Sequence, residues 1–287
     1  MSDLPTWERV RYELPAPHVA RITLTRADRR NAQDYRMLYE LDEAFQVAVA
    51  DDDVKVVILA ADGPHFSSGH DVTGTAPCTD FRTVTLTGGF DQPGQHGGMA
   101  VEEEVYKGLC LRWRDIPKPT IAQVQGKVIA GGLMLVWPMD IVIASEDATF
   151  ADPVVAFGVN GHEYFTHVFE LGSRKAKEML FGGSSFTAQE CKDLGMVNQV
   201  VPREDLESAA LAMAQRFARM PAMGLRLAKM ACNQSLDAQG QTAAITAAFS
   251  LHQVGHAHAR HIYGGIPVDP TGIEVIRELS ATPVAVG

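Results

Sequence analysis

Two glycine-bearing segments carry residues whose types and spacing could do chemistry. They are FSSGHD at 66–71 and QGKVIAGGL at 125–133, and they follow the apolar runs VVILA (56–60) and TIAQV (120–124). A strand, a glycine turn and a helix start together aim free backbone N–H groups at an incoming oxygen. Glycine permits the close approach and the unusual backbone angles. Two such turns, if they converge, form an oxyanion hole for charge developing on a carbonyl. The pattern therefore predicts chemistry on an acyl group.

The elements that must position these turns alternate between strand and helix. Apolar alternation predicts a strand at 19–25, and helical spacing predicts a helix from residue 32. Buried strands are predicted at 55–63 and 120–126, and a helix at 101–114. Parallel strands need such crossovers, so the predicted class is α/β.

The second half of the chain is predicted to become helical. In the segment from Thr187 to Gly195, Thr187 and Glu190 have the spacing of a capping box and Gly195 can end the helix. From Glu204 to about Tyr263 the pattern is almost wholly helical. We therefore divide the chain into a core at 1–203 and a C-terminal helical region at 204–287.

Residues 73–100 are rich in Gly, Thr, Pro and Gln and lack a clear period. A loop of that length in a compact domain is either functional or mobile. We interpret this segment as part of the wall of an acyl pocket.

Composition narrows the classes of function. The 287 residues are 46% hydrophobic with a net charge of −10, which argues against nucleic acid as the main partner. No apolar run approaches the roughly 20 residues of a membrane span, and the N-terminus lacks the features of a signal peptide. The four cysteines are scattered without a CxxC motif, as is typical of reduced thiols in a cytoplasmic protein.

Five segments stand in a fixed order along the chain: RRNAQ (29–33), KVVILAADGPHFSSGHD (55–71), IPKPTIAQVQGKVIAGG (116–132), MDIVIASEDATFADP (139–153) and FTAQECKDLGMVNQVVPRED (186–205). Together they resemble the crotonase (enoyl-CoA hydratase/isomerase) superfamily. The resemblance implies a crotonase-like spiral of ββα units with a C-terminal helical trimerisation region, and a homotrimer or a hexamer made of two trimers. It also implies a coenzyme A thioester as the small-molecule substrate, with no permanently bound cofactor.

By position, the resemblance assigns the oxyanion N–H groups to His70 and Gly131. It also places the charged turn before Asn31 near the phosphates and adenine of coenzyme A. A solvated charged turn is the other interpretation of that segment. The residues predicted to contact the coenzyme A thioester are Arg26, Arg29, Arg30, Ser68, His70 and Gly131.

The sequence departs from the family at the acid–base residues. Typical hydratases use two glutamates, and those positions here are Met134 and Val154, neither of which exchanges protons. The position that other members use falls on His162, beside Glu163; a histidine near a carboxylate is a competent base at neutral pH. Asp152 is a third candidate.

Each of these candidates also has a structural interpretation. His162 and Glu163 could merely face solvent near a helix start, and Asp152 could be a turn residue or a helix cap. The imidazole of His70 could bind or protonate substrate, whereas Asp140 is interpreted as structural.

Metal binding is not predicted. HEYFTH at 162–167 resembles a zinc-protease motif, but its histidines are five residues apart, which on a helix places them on different faces. His252 and His256 share a helical face, so a divalent metal is conceivable there. We expect instead that the C-terminal histidines, which include His258 and His261, are partly exposed or lie at a subunit contact.

Three functions fit this sequence. The first is an acyl-CoA enzyme that forms a thioester enolate, through which isomerisation, rearranged hydration, C–C cleavage and decarboxylation all pass. The second is a non-catalytic acyl-CoA-binding protein that retains the glycine turns. The third is a β-diketone hydrolase of the same fold that does not use coenzyme A.

Overall fold

The computed structural model describes residues 5–73, 80–84 and 88–281. Its main sheet is built from β1 (Val10–Ala16), β2 (Val19–Leu24), β3 (Val56–Ala61), β4 (Thr120–Val124), β6 (Ile141–Ser145) and β9 (Gln199–Val201). The strand order is β1-β2-β3-β4-β6-β9, and only the β1–β2 pair is antiparallel. This sheet confirms the predicted α/β class.

A second, smaller sheet contains β5 (Lys127–Ile129), β7 (Thr149–Ala151) and β8 (Phe186–Thr187). The chain leaves the main sheet after β4 to form β5, and after β6 to form β7. After β3 it makes a single bridge, from Ser67 to Val128 of β5. Each turn of the chain thus contributes first to the main sheet and then to the smaller sheet. This arrangement is the predicted spiral.

Ten α-helices surround the sheets in the described part of the chain: α1 (Tyr35–Ala50), α2 (Gln95–Glu102), α3 (Leu109–Arg114), α4 (Leu133–Val136), α5 (His167–Gly182), α6 (Ala188–Asp193), α7 (Leu206–Ala218), α8 (Ala222–Ala238), α9 (Gln241–Ile262) and α10 (Gly272–Ala281). A π-helical segment, Glu103–Gly108, joins α2 to α3. No described helix combines the length and the apolar character that a bilayer crossing needs.

Local signals located several elements correctly. The capping box at the start of α6 is confirmed: the Glu190 N–H donates to Thr187 Oγ1 (3.2 Å), and the Thr187 N–H donates to Glu190 Oε2 (2.8 Å). The helix ends before Gly195, whose φ is +88°.

The prediction of irregular structure at residues 73–100 is wrong at the end of that segment, because α2 begins at Gln95. Residues 74–79 and 85–87 of the segment lie outside the described residues.

The C-terminal segment is helical from Leu206 onward, as predicted. Its first helix, α7, packs on the main sheet: Leu206 and Ala210 share one buried apolar cluster with Val56, Ile58 and residues of other strands. The boundary near residue 203 therefore matches a change of secondary structure, and the division into two domains stays a prediction.

Candidate active site

The two predicted glycine turns converge. The Ile129 N–H donates to the carbonyl of Ser67 (3.1 Å), and the Ser67 N–H donates to the carbonyl of Lys127 (3.2 Å). A Cβ atom on Gly69, whose φ is +93°, would lie 2.8 Å from the Ile129 oxygen and 3.4 Å from the Gly131 nitrogen. Only glycine fits this contact, because any larger residue would push the turns apart.

The two N–H groups predicted to face the substrate are not used by secondary structure. His70 forms a parallel β-bridge with Gln33. In this bridge the Gln33 N–H donates to the backbone carbonyl of Gly69 (2.8 Å), and the Asp71 N–H donates to the backbone carbonyl of Gln33 (2.9 Å). This pairing leaves the His70 N–H directed away from Gln33, and it has no acceptor among the described residues. Gly131 is in the first turn of the 3₁₀-helix Ala130–Gly132, where N–H groups lack an intrahelical partner.

Gln33 is a positioning residue that sequence reasoning missed. It is buried, it brackets His70 through its backbone, and its Nε2 donates to the carbonyl of Gly131 (2.6 Å). One side chain thus holds both turns in register. The only signal was its place at the end of RRNAQ.

The His70 side chain lies directly over the second turn. A Cβ atom on Gly131 would meet His70 Nδ1 at 2.6 Å, so the glycine makes room for the imidazole. The ring stacks on Tyr106 of the π-helical segment, with centroids 3.9 Å apart. Its Nε2 contacts Glu163 Oε2 at 3.2 Å, while Nδ1 is buried without a hydrogen-bond partner in the described residues.

Glu163 is the one proposed base that the structure brings to His70. It is buried, and its Oε1 lies 3.5 Å from Nε2 of His252. Burial would raise the pKa of this carboxyl, but the charges of His70 and His252 and the hydrogen bond with His70 outweigh burial and hold that pKa well below its usual range. The solvent-facing interpretation of Glu163 is wrong.

His162 and Asp152 belong to a separate buried cluster. Asp152 Oδ2 accepts from the His162 N–H (2.9 Å) and contacts Nε2 of His167 (2.8 Å). The rings of His162, His167 and Trp137 pack together with centroids 4.6–5.0 Å apart. Burial and the neighbouring His167 lower the pKa of His162 to about 3, so this imidazole is neutral. The interpretation of His162 as solvent-facing is wrong.

Burial would raise the pKa of Asp152, but its hydrogen bonds with the His167 side chain and with the His162 N–H lower that pKa overall. The carboxylate holds the loop between β7 and α5 in place through three hydrogen-bond partners. They are Val154 and His162 in that loop and His167 at the start of α5.

Neither usual glutamate position carries a proton-exchanging group. Met134 is buried in α4, and Val154 begins a 3₁₀-helix at Val154–Phe157. Asp140 is structural, as predicted: it accepts from the N–H and the hydroxyl of Thr120 and pairs with Lys229 at 2.9 Å.

The arginines predicted to contact coenzyme A differ in whether their side chains are free to bind it. Arg26 is largely buried and pairs with Asp34 (3.2 Å) and Asp71 (3.0 Å), so its charge is already balanced. Arg29 and Arg30 are exposed. The Ser68 N–H donates to the carbonyl of Arg30 (3.0 Å), which ties the charged turn to the first glycine turn.

Two expectations about histidines are wrong. Residues 162–166 are not helical, since α5 begins at His167, so His162 and His167 come together instead of pointing apart. His252 and His256 are buried, not partly exposed, whereas His258 and His261 are exposed. The long-range contacts that bury them leave no local signal.

Comparison with known proteins identifies the family. A sequence profile of the enoyl-CoA hydratase/isomerase family matches residues 16–264. The chain belongs to the enoyl-CoA hydratase/isomerase family. The predicted crotonase resemblance and the predicted enzyme class are thereby confirmed.

The relatives of this chain include proteins named as hydratases and proteins named as isomerases. A Mycobacterium tuberculosis protein named as an enoyl-CoA hydratase, EchA13, is 42% identical over 267 residues, which cover 90% of this chain and 84% of that protein. Enoyl-CoA delta isomerase 2 of Rattus norvegicus is 29% identical over 213 residues, 74% of this chain and 51% of that protein.

Solved structures of family members share the fold. A crystal structure described as a probable enoyl-CoA hydratase from Mycobacterium smegmatis has a TM-score of 0.83 and 44% identity, covering 91% of this chain and 98% of that one. A monofunctional enoyl-CoA isomerase from the same organism has a TM-score of 0.64 and 28% identity, covering 80% of this chain and 94% of that one.

Proposed function

We propose that this enzyme transfers a proton at the carbon next to the carbonyl of an acyl-CoA thioester. The resulting enolate oxygen would be held by the N–H groups of His70 and Gly131. One observation carries the proposal: a paired imidazole and carboxylate, His70 and Glu163, lie beside the Gly131 turn. They would replace the two glutamates whose positions hold Met134 and Val154.

The His70 and Glu163 side chains have different roles in this proton transfer. If His70 donates Nε2–H to Glu163, Nδ1 carries the lone pair that accepts the substrate proton. Glu163 then stabilises the imidazolium, and the same nitrogen returns the proton. The His70 side chain is 21% exposed and that of Glu163 only 5%, so the imidazole is the more accessible member of the pair. Because Nδ1 itself is buried over Gly131, the ring must turn from that position for the substrate to reach it.

Double-bond migration is the overall reaction we infer. A single proton-transfer pair suffices to remove a proton from one carbon and return it to another, with no water to position. The relatives named as isomerases support this choice. Rearranged hydration, C–C cleavage and decarboxylation use the same enolate and would appear as other products.

Binding of the coenzyme A portion is assigned to the exposed Arg29 and Arg30, with Ser68 linking their turn to the hole. No permanently bound cofactor is needed for this proton transfer. We further propose a cytoplasmic homotrimer, or a hexamer of two trimers, as the working form.

The test is turnover of a panel of enoyl-, β-keto- and cyclic-diketo-acyl-CoA substrates. We expect wild type to shift an enoyl double bond, and His70→Ala and Glu163→Gln to lose roughly 100- to 10,000-fold in kcat while still binding the ester. His162→Ala is the matched control, because His162 lies in the other buried cluster.

Three results would contradict the proposal. Selective loss of turnover in His162→Ala would show that the base belongs to the buried cluster of His162 instead. Binding of the esters without any turnover would favour a non-catalytic acyl-CoA-binding protein. Failure to bind any coenzyme A ester would favour the β-diketone hydrolase.

A further inference from the structure

A second polar cluster lies where α9 crosses the end of α2, behind Glu163, and the proposed reaction does not use it. Its members are Glu102, His252 and His256, whose nearest ligand atoms all lie within 4.8 Å of one another. His252 is 4% exposed and His256 7%. The two histidines are four residues apart and share one face of α9.

Backbone carbonyls orient both imidazoles. His252 Nδ1 lies 2.8 Å from the carbonyl of Gly161, and His256 Nδ1 lies 2.6 Å from the carbonyl of Pro267. Each carbonyl fixes the proton on Nδ1 and leaves Nε2 facing the cluster. Metal-binding histidines are held in this way, with the second ring N–H donated to a carbonyl or carboxylate.

The two Nε2 atoms face carboxylate oxygens. His256 Nε2 lies 3.4 Å from Glu102 Oε1, and His252 Nε2 lies 3.5 Å from Glu163 Oε1. His252 Nε2 is buried and has no hydrogen-bond partner among the described residues. With its proton on Nδ1, the His252 imidazole directs the lone pair of Nε2 at the Glu163 carboxylate. A cation bound to Nε2 would remove this repulsion.

From this arrangement we infer a binding site for a divalent cation of the zinc type, with His252, His256 and Glu102 as ligands. Ligand atoms about 2.0–2.1 Å from a tetrahedral zinc ion lie about 3.4 Å from one another, which matches the distance between His256 Nε2 and Glu102 Oε1. Gln253 Nε2 supports the site by donating to Glu102 Oε2 (2.6 Å).

The other buried group of this kind, Asp152, His162 and His167, is less suited to a cation. There Asp152 already contacts His167 Nε2 at 2.8 Å, and His162 has no hydrogen-bond partner for either ring nitrogen among the described residues. The cation at α9 would join α2 to α9 and would leave Glu163 paired with His70.

The test is zinc binding by the full chain, stripped with chelator and titrated with zinc chloride. We expect one zinc per chain by elemental analysis, and a Tm raised by about 5 °C at a hundredfold excess over Kd. Cobalt chloride should give the visible absorption of a tetrahedral site. Glu102→Gln and His256→Gln should lose this zinc, whereas His258→Gln, on the exposed side of α9, should keep it.

Absence of zinc from wild type at micromolar free metal, with an unchanged Tm, would overturn the inference. So would zinc that survives in both Glu102→Gln and His256→Gln but is lost in His162→Gln. Glu102→Gln preserves side-chain shape, and circular dichroism of the metal-free variants separates lost binding from lost folding.

Discussion

His70 contributes two groups to the candidate active site, its backbone N–H and its imidazole. Its backbone N–H is free of the Gln33 bridge, and its imidazole lies over Gly131 with Nδ1 unpartnered. Tyr106 and Glu163 fix the ring from two other sides. The absence of a side chain at Gly131 is what allows this arrangement.

Gly131→Ala should therefore remove activity with little change in global fold. The new Cβ would meet the His70 ring at 2.5–2.6 Å, so the imidazole must move. Because misplacement by about 1 Å can cost 100-fold, we expect kcat to fall about 100-fold. Gly224→Ala is the control: its Cβ meets nothing within 4 Å in α8, and it should gain about 0.5–1 kcal/mol of stability with kcat unchanged. Equal kcat in the two variants would contradict this role of Gly131.

The sequence predicts the turns better than the base. Gly69 and Gly131 stand next to apolar strands, so local pattern reveals them. The His70–Glu163 contact joins residues 93 positions apart, and no local period reports such a pair. The sequence therefore left His162, Glu163 and Asp152 open as alternatives.

The loop between β7 and α5 shows the same limit at the scale of an element. The capping box of α6 was predictable because its partners are three residues apart. The HEYFTH prediction failed because it assumed a helix, whereas Gly161 has φ +136° and the helix starts only at His167. Tertiary contacts with Trp137 and Asp152 decide that loop.

This loop should make stability depend on pH. The pKa of His162 is about 3 in the folded protein and about 6.5 when unfolded, so between these values only the unfolded chain takes up the proton. Stability should thus fall by about 2 kcal/mol between pH 7 and pH 5 from this residue alone. Urea unfolding of His162→Gln should lack that loss, and the exposed control His258→Gln should retain it. Parallel pH profiles for wild type and His162→Gln would refute the assignment.

At the scale of the whole molecule, α8 exposes an apolar face. Lys229 is the one buried residue of this helix, and Met223, Leu227 and Met230 are 43–65% exposed in the single chain. Contiguous exposed apolar residues mark interaction surfaces. We assign this face to the proposed trimer contact.

The double variant Met223→Glu, Leu227→Glu should dissociate that assembly. Light scattering after gel filtration should give wild type three or six times the 31.1 kDa chain, and the variant one chain, because two charges would be buried at the contact. Leu14→Glu, at an exposed side chain of β1, should not change the mass. A wild-type monomer, or a variant of unchanged mass, would rule out this face as the contact.

Solvent deuterium exchange into the α-carbon of a saturated acyl-CoA, followed by mass spectrometry, reports enolate formation without requiring the true substrate. We expect wild type to catalyse exchange, and His70→Ala and Glu163→Gln to lose it while still binding the ester. His162→Ala should exchange like wild type. Bound ester with no exchange in wild type, or undiminished exchange in both His70→Ala and Glu163→Gln, would contradict proton transfer by this pair.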